Sequence, residues 1–226
     1  MLVNADFSLR AAVEPHQYRW VGSPQPGVER VMLDRLGGEK ARATSIVRYA
    51  PGSHFPAHQH PGGEEILVLS GTFSEGEEHY PAGWYMRNPP GSSHQPSSEE
   101  GAVIFVKLWQ MRASESRHVR IDTRDTSAWT ARGGRASCLL FADRAELVSL
   151  ERMPAGVRVC SGLVEGSEIL VLKGSLHEGA RRYERGSWIR LPPGEHPDLV
   201  AGDIGATVYL KTGHLSLPAG EKGAPC

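Results

Sequence analysis

The sequence predicts an all-β protein built from two tandem copies of one small domain, and three observations carry that expectation. Apolar runs are short and rich in Val, Ile and Leu, as in Ile66 to Leu69 and Ile169 to Leu172. The 26 glycines and 16 prolines of this 226-residue chain are dispersed between such runs, which places tight turns throughout. One stretch also recurs in fixed register: Gly71 matches Gly174, 103 positions on, and the offset holds without a gap from Pro51/Pro154 to Gly91/Gly194.

In chain order, Asp6-Phe7-Ser8 and His16 to Trp20 are expected as short strands, followed by a turn at Ser23-Pro24-Gln25-Pro26-Gly27. Val28 to Leu36 alternates as a strand, with Val28, Arg30, Met32 and Asp34 on one face and Glu29, Val31, Leu33 and Arg35 on the other. Gly37-Gly38-Glu39 turns it back into a strand over Ala43 to Tyr49. The Ile66 to Leu69 run is expected to end at Gly71, and Glu75-Gly76-Glu77 marks a turn. Tyr80, the Gly83 turn and a strand over Trp84 to Asn88 follow. Ala102 to Met111 is the longest apolar strand, with Val103, Phe105, Lys107 and Trp109 on one face. Arg112 to Ala128 is polar and without period, which predicts a connector at 112–128 between a first domain, 1–111, and a second, 129–226.

The repeat is detailed. Glu65-Ile66-Leu67-Val68-Leu69 recurs as Glu168-Ile169-Leu170-Val171-Leu172, Tyr80 as Tyr183, Gly83 as Gly186, Arg87 as Arg190, and Pro89-Pro90-Gly91 as Pro192-Pro193-Gly194. About half of the positions from Gly63 to Gly91 match, too many for chance at one register.

Composition narrows the function classes. Twenty-five basic against 26 acidic residues leave no electrostatic footprint for nucleic acid and no polybasic membrane patch. No apolar run reaches membrane-spanning length and no leader pattern opens the chain, so a cytoplasmic protein is expected. Cys138, Cys160 and Cys226 are odd in number and widely spaced; two are expected as buried small hydrophobes and the last as a tail thiol.

Against this background four side chains stand out: His58, His60, Glu64 and His94. At the 103-residue offset they become Ser161, Leu163, Ser167 and Pro197, whereas the turn glycines, prolines and apolar strand persist. Residues needed for the fold should survive in both copies, while residues needed only for a site can be confined to one. The same comparison separates Glu64, which disappears with the histidines, from Glu65, which persists as Glu168. His58, His60 and Glu64 also share even positions and so one side of the strands. Three neutral imidazoles and a carboxylate suit one divalent ion of Zn, Fe, Mn, Ni or Cu type, with a position left for water or substrate. His54 is expected at the surface and His79 in solvent, while His196, one position short of the His94 register, offers the second copy at most a weak binding residue. Arg87 and Lys107, matched by Arg190 and Lys211, are expected in scaffold roles; Tyr85, replaced by Trp188, is a candidate pocket wall.

The pattern Gly52-x5-His58-x-His60-x3-Glu64-x6-Gly71 resembles the first cupin motif, and Gly83-x5-Pro89-x-Gly91-x2-His94 the second, with Ser98 where an Asn is usual. Pro61-Gly62-Gly63-Glu64-Glu65 and Asn88 to His94 are similar in particular to the ChrR-like cupins, known from the C-terminal half of a zinc anti-sigma factor. The resemblance is specific over about 28–111 and weaker over 129–213. It implies a bicupin: two double-stranded β-helix (jelly-roll) barrels, with one metal ion, Zn or Fe by preference, on His58, His60, Glu64 and His94 of the first. It further implies a small-molecule ligand and a homodimer. The helical zinc domain by which that factor grips its sigma factor has no counterpart, so anti-sigma activity is not expected. The alternative is a metal-dependent dioxygenase acting on a diketone- or flavonol-like substrate, with Glu64 as base. A sugar isomerase is disfavoured, because no second acid–base pair accompanies the ligands.

Overall fold

A computed structural model describes residues 1–215. They divide into two compact units, one of residues 1–5 and 18–125, the other of residues 6–17 and 126 onward. Both are all-β; among the described residues the helices are two single 3₁₀ turns, Pro15–Gln17 and Thr126–Ala128.

The sheet of the first unit runs Leu2–Val3, Val28–Leu36, Ala43–Tyr49, Ala102–Leu108, Glu64–Glu75, Trp84–Asn88, Val119–Asp122, every pair antiparallel. The far half of Glu64–Glu75 turns away to pair with Glu78–Pro81 and Pro96–Ser98, and Ser92–His94 forms a separate ribbon with His58–His60. The second unit follows the same order: Trp129–Arg132, Arg135–Ala142, Leu147–Met153, Val200–Thr212, Glu165–Glu178, Trp188–Pro193, Ala11–Val13. In neither sheet does the path of paired strands close on itself.

Side-chain alternation decides which residues fill each unit. Ile66, Val68, Phe73, Tyr80, Met86 and Val106 lie in the core of the first, and Ile169, Val171, Leu176, Tyr183, Ile189 and Val208 in that of the second. The first five of these pairs are matched at the 103-residue offset. Each such side chain contributes about 1.5–3 kcal/mol by leaving water.

Several expectations are corrected. Gly71 does not end its strand; Glu64–Glu75 continues through it by a bulge that shifts the register between Val103 and Ile104. The backbone there has φ +66°, and a Cβ would sit 1.9 Å from the Gly101 carbonyl oxygen; Gly174, at φ +72°, would meet the Gly205 oxygen at 2.0 Å. The alternation of Val28–Leu36 breaks at another bulge, between Met32 and Asp34, so that Leu33 and Asp34 are both buried. Asp6 to Ser8 is a turn, in which the Asp6 carboxylate accepts from the Ser8 amide and hydroxyl, and the strand lies at Ala11–Val13. No strand covers His16 to Trp20. The strand expected to reach Met111 ends at Leu108, and Trp109 takes φ +58°. Residues expected as connector contain Val119–Asp122, which pairs with Trp84–Asn88, and residues 6–17 fold into the second unit. Cys138 is buried and Cys160 half-buried; Cys226 lies outside the described residues.

Candidate metal centre

Two turns bring the histidines together. The His60 carbonyl accepts from the Gly63 amide at 3.0 Å and the Gly91 amide at 2.9 Å, tying the Pro61-Gly62-Gly63 turn to the Pro89-Pro90-Gly91 turn. Gly62 is required here, since a Cβ would lie 2.5 Å from the Trp109 ring. The ribbon then places His94 opposite His58 and Ser92 opposite His60.

The three imidazoles meet with ring centroids 4.6–4.8 Å apart, and one nitrogen from each lies within 4.8 Å of the others. His60 Nε2 and His94 Nε2 are 2.8 Å apart, and Glu64 Oε2 lies 3.4 Å from the first and 3.5 Å from the second. Glu64 faces this cluster because it shares the inner face with Ile66, Met86, Asn88 and Val106.

The remaining nitrogens are held from behind. His58 Nδ1 lies 2.9 Å from the Pro56 carbonyl, and His94 Nδ1 lies 2.6 Å from Glu75 Oε1. Both acceptors select the Nδ1–H tautomer, which leaves each Nε2 as the acceptor or ligand atom. Burial depresses the pKa of His60 more than Glu64 raises it, so the ring favours its neutral, ligating form. Burial also works against a charged His94, but Glu64 and the Glu75 hydrogen bond outweigh it and raise its pKa. For Glu75, burial pushes upward and is outweighed by His94 and Arg120, which hold it below the ordinary carboxylate value.

Three contributors were not singled out in the sequence. Glu75 Oε2 accepts from Arg120 Nη2 at 3.0 Å; the same Nη2 donates to Asn88 Oδ1 at 2.7 Å; and Asn88 Nδ2 donates to Glu64 Oε2 at 3.3 Å. Asn88 carried a usable signal, because the second copy has Leu191 at that position.

The other candidates lie elsewhere. Glu65 pairs with Arg87 at 3.0 Å, both side chains buried, and the Lys107 ammonium donates to Thr44. Tyr85 and Phe105 are in register with Leu67, on the face opposite Ile66 and Glu64, so Tyr85 is not a wall of this site. His54, His79 and His196 are exposed, and His177 is half-buried beside Ser175. In the second unit, Glu178, the counterpart of Glu75, spends both oxygens on Arg10, and Glu168 accepts from Trp188 Nε1 at 2.7 Å.

The donor set fits a divalent ion. Nitrogens and oxygens 2.8–3.5 Å apart can be bridged by an ion with ligand distances of about 2.0–2.2 Å. Residues 8–112, which carry every one of these histidines, match the family model described as the ChrR cupin-like domain.

The fold is that of the cupins. Among solved structures, the chain is similar to a candidate dioxygenase from Nostoc punctiforme (17% identity, 97% of this chain and 88% of that one, TM-score 0.74). It is also similar to a bacterial pirin from Escherichia coli in complex with nickel(II) (14%, 90% and 98%, TM-score 0.66). A third is salicylate 1,2-dioxygenase from Pseudoaminobacter salicylatoxidans (12%, 79% and 73%, TM-score 0.60). No curated protein sequence matches the chain. Among the described residues, no helix is long and apolar enough to cross a membrane.

Proposed function

We propose that this chain is a bicupin, a duplicated barrel whose first copy holds one divalent metal ion through His58, His60, Glu64 and His94 and presents it to a small molecule. The observation that carries this reading is the convergence of three imidazole nitrogens and a carboxylate oxygen in the one copy that has them, with two imidazoles fixed by acceptors behind them. Zinc or iron suits the donors. Such an ion would act as a Lewis acid toward an oxygen of the bound molecule. The chain's own part is to exclude water with Phe55 and Phe73, which lie against His58 and His94, and to hold Glu64 beside them.

A second reading makes the protein a dioxygenase for a diketone- or flavonol-like substrate, in line with the named activities of two similar structures. What favours it here is Glu64, whose carboxylate oxygen sits between two imidazoles and could take a proton from an enolisable substrate.

Elemental analysis of protein purified without added metal tests the first reading. About one ion per chain is expected, lost in His58→Ala; metal-free protein that takes up none of Zn²⁺, Fe²⁺ or Ni²⁺ would sink it. Oxygen consumption across a panel of β-diketones and flavonols separates the two readings, since binding alone consumes none.

A further inference from the structure

We propose that Arg120 is a positioning residue for the metal centre, delivered from outside the matched cupin domain to fix Glu75 and Asn88 and, through them, His94 and Glu64. This rests on the metal reading above. The family match ends at residue 112, whereas Arg120 sits on Val119–Asp122, paired with Met86 on the neighbouring strand.

All three guanidinium nitrogens are occupied. Nε donates to the Tyr80 hydroxyl at 3.1 Å, Nη1 to the Val119 carbonyl at 2.9 Å, and Nη2 to both Glu75 Oε2 and Asn88 Oδ1. A lone carboxylate can turn and offer either oxygen to a neighbour. With Oε2 taken by Arg120, Oε1 is left to His94 Nδ1, and the imidazole is locked with Nε2 toward His60. The same Nη2 orients the Asn88 amide so that its NH₂ faces Glu64 Oε2. One cation thus reaches two of the four ligands by two separate routes.

The second unit shows what this arrangement is without a metal task. There Arg10 pairs with Glu178 and lies 3.5 Å from the Tyr183 hydroxyl, so an Arg–Glu–Tyr trio recurs as scaffold. The trio of the first unit differs in sparing one carboxylate oxygen for a histidine and in holding Asn88, whose counterpart is Leu191.

The test uses the full chain stripped of metal and titrated with Zn²⁺ by calorimetry, with the visible spectrum of the Co²⁺-loaded protein as a readout of ligand geometry. Arg120→Ala is expected to weaken binding about 10- to 100-fold and to shift the Co²⁺ bands. Arg120→Lys should recover part of the loss, because an ammonium restores the charge on Glu75 but cannot fork to Asn88. Arg124→Ala, which removes an exposed cation paired with Asp122 close by, should change nothing. Asn88→Leu, which borrows the residue of the second copy, should also weaken binding, and it carries the test if Arg120→Ala does not fold. Folded Arg120→Ala, or in its place Asn88→Leu, with wild-type affinity and an unchanged spectrum would overturn the positioning role alone. A wild-type chain that binds no metal would overturn the metal reading itself.

Discussion

Glu64 and Glu65 are neighbours in sequence with the same charge, and the structure turns them to opposite faces of one strand. Glu65 faces away from the histidines and pairs with Arg87 at 3.0 Å, with 4% and 2% of the two side chains exposed. Glu65→Gln keeps the shape but leaves a buried guanidinium without that partner's charge. Breaking such a pair costs about 3–5 kcal/mol, and at roughly 2–4 °C per kcal/mol for a chain of this size the melting temperature should fall by about 6–20 °C. Zn²⁺ affinity of the folded fraction should not change. Glu64→Gln should do the reverse: the metal-free protein should melt within about 2 °C of wild type, since the side-chain amide can still accept from Asn88, while Zn²⁺ affinity falls by more than about tenfold. Thermal unfolding of metal-free protein and calorimetric titration read the two quantities separately. If Glu65→Gln loses metal without losing stability, or if the two variants behave alike, the assignment of faces is wrong.

Three further outcomes are expected. Gly71→Ala and Gly174→Ala should each cost at least about 2 kcal/mol, because a methyl would meet a carbonyl oxygen at 1.9 and 2.0 Å on a backbone of positive φ; denaturant unfolding checks this, and melts unchanged from wild type would contradict it. Gly62→Ala, which drives a methyl into the Trp109 ring, should displace the turn between His60 and Glu64 and lower metal affinity together with stability, seen by titration and melting. Chelation should lower the melting temperature in step with free metal, since an ion at 100 times its Kd stabilises by about 2.7 kcal/mol; a melt indifferent to chelator would count against a ligated ion.

Much of this was readable in the residues, for identifiable reasons. A duplicated sequence carries its own control: positions kept in both halves mark the scaffold, as with Gly71, Gly83 and the Glu65–Arg87 pair, and positions present in one half mark the histidine cluster. The same logic hid Glu75. It recurs as Glu178 because both carboxylates hold an arginine, and only in the first unit does a spare oxygen also hold an imidazole. Arg120 left no trace, because it lies outside the repeated stretch in a polar segment without period. The bulges at Gly71 and Met32/Asp34 escaped because alternation reports the face of a strand but not an inserted residue. The assignment of Ala11–Val13 to the second unit is a long-range pairing for which local pattern holds no information.

The hold of Arg10 on Glu178 bears on whether the second unit could be given a centre of its own. Placing imidazoles and a carboxylate at Ser161, Leu163, Ser167 and Pro197 would supply donors, but the oxygen that should steer the last imidazole is already occupied from a residue 168 positions away. A second centre therefore needs a removal as well as four additions. The four replacements alone should leave metal content at one equivalent, and a second should be taken up only when Arg10→Ala is added. The distant Arg10 thus stands against a second centre separately from the four missing donors, so that no single substitution could supply one.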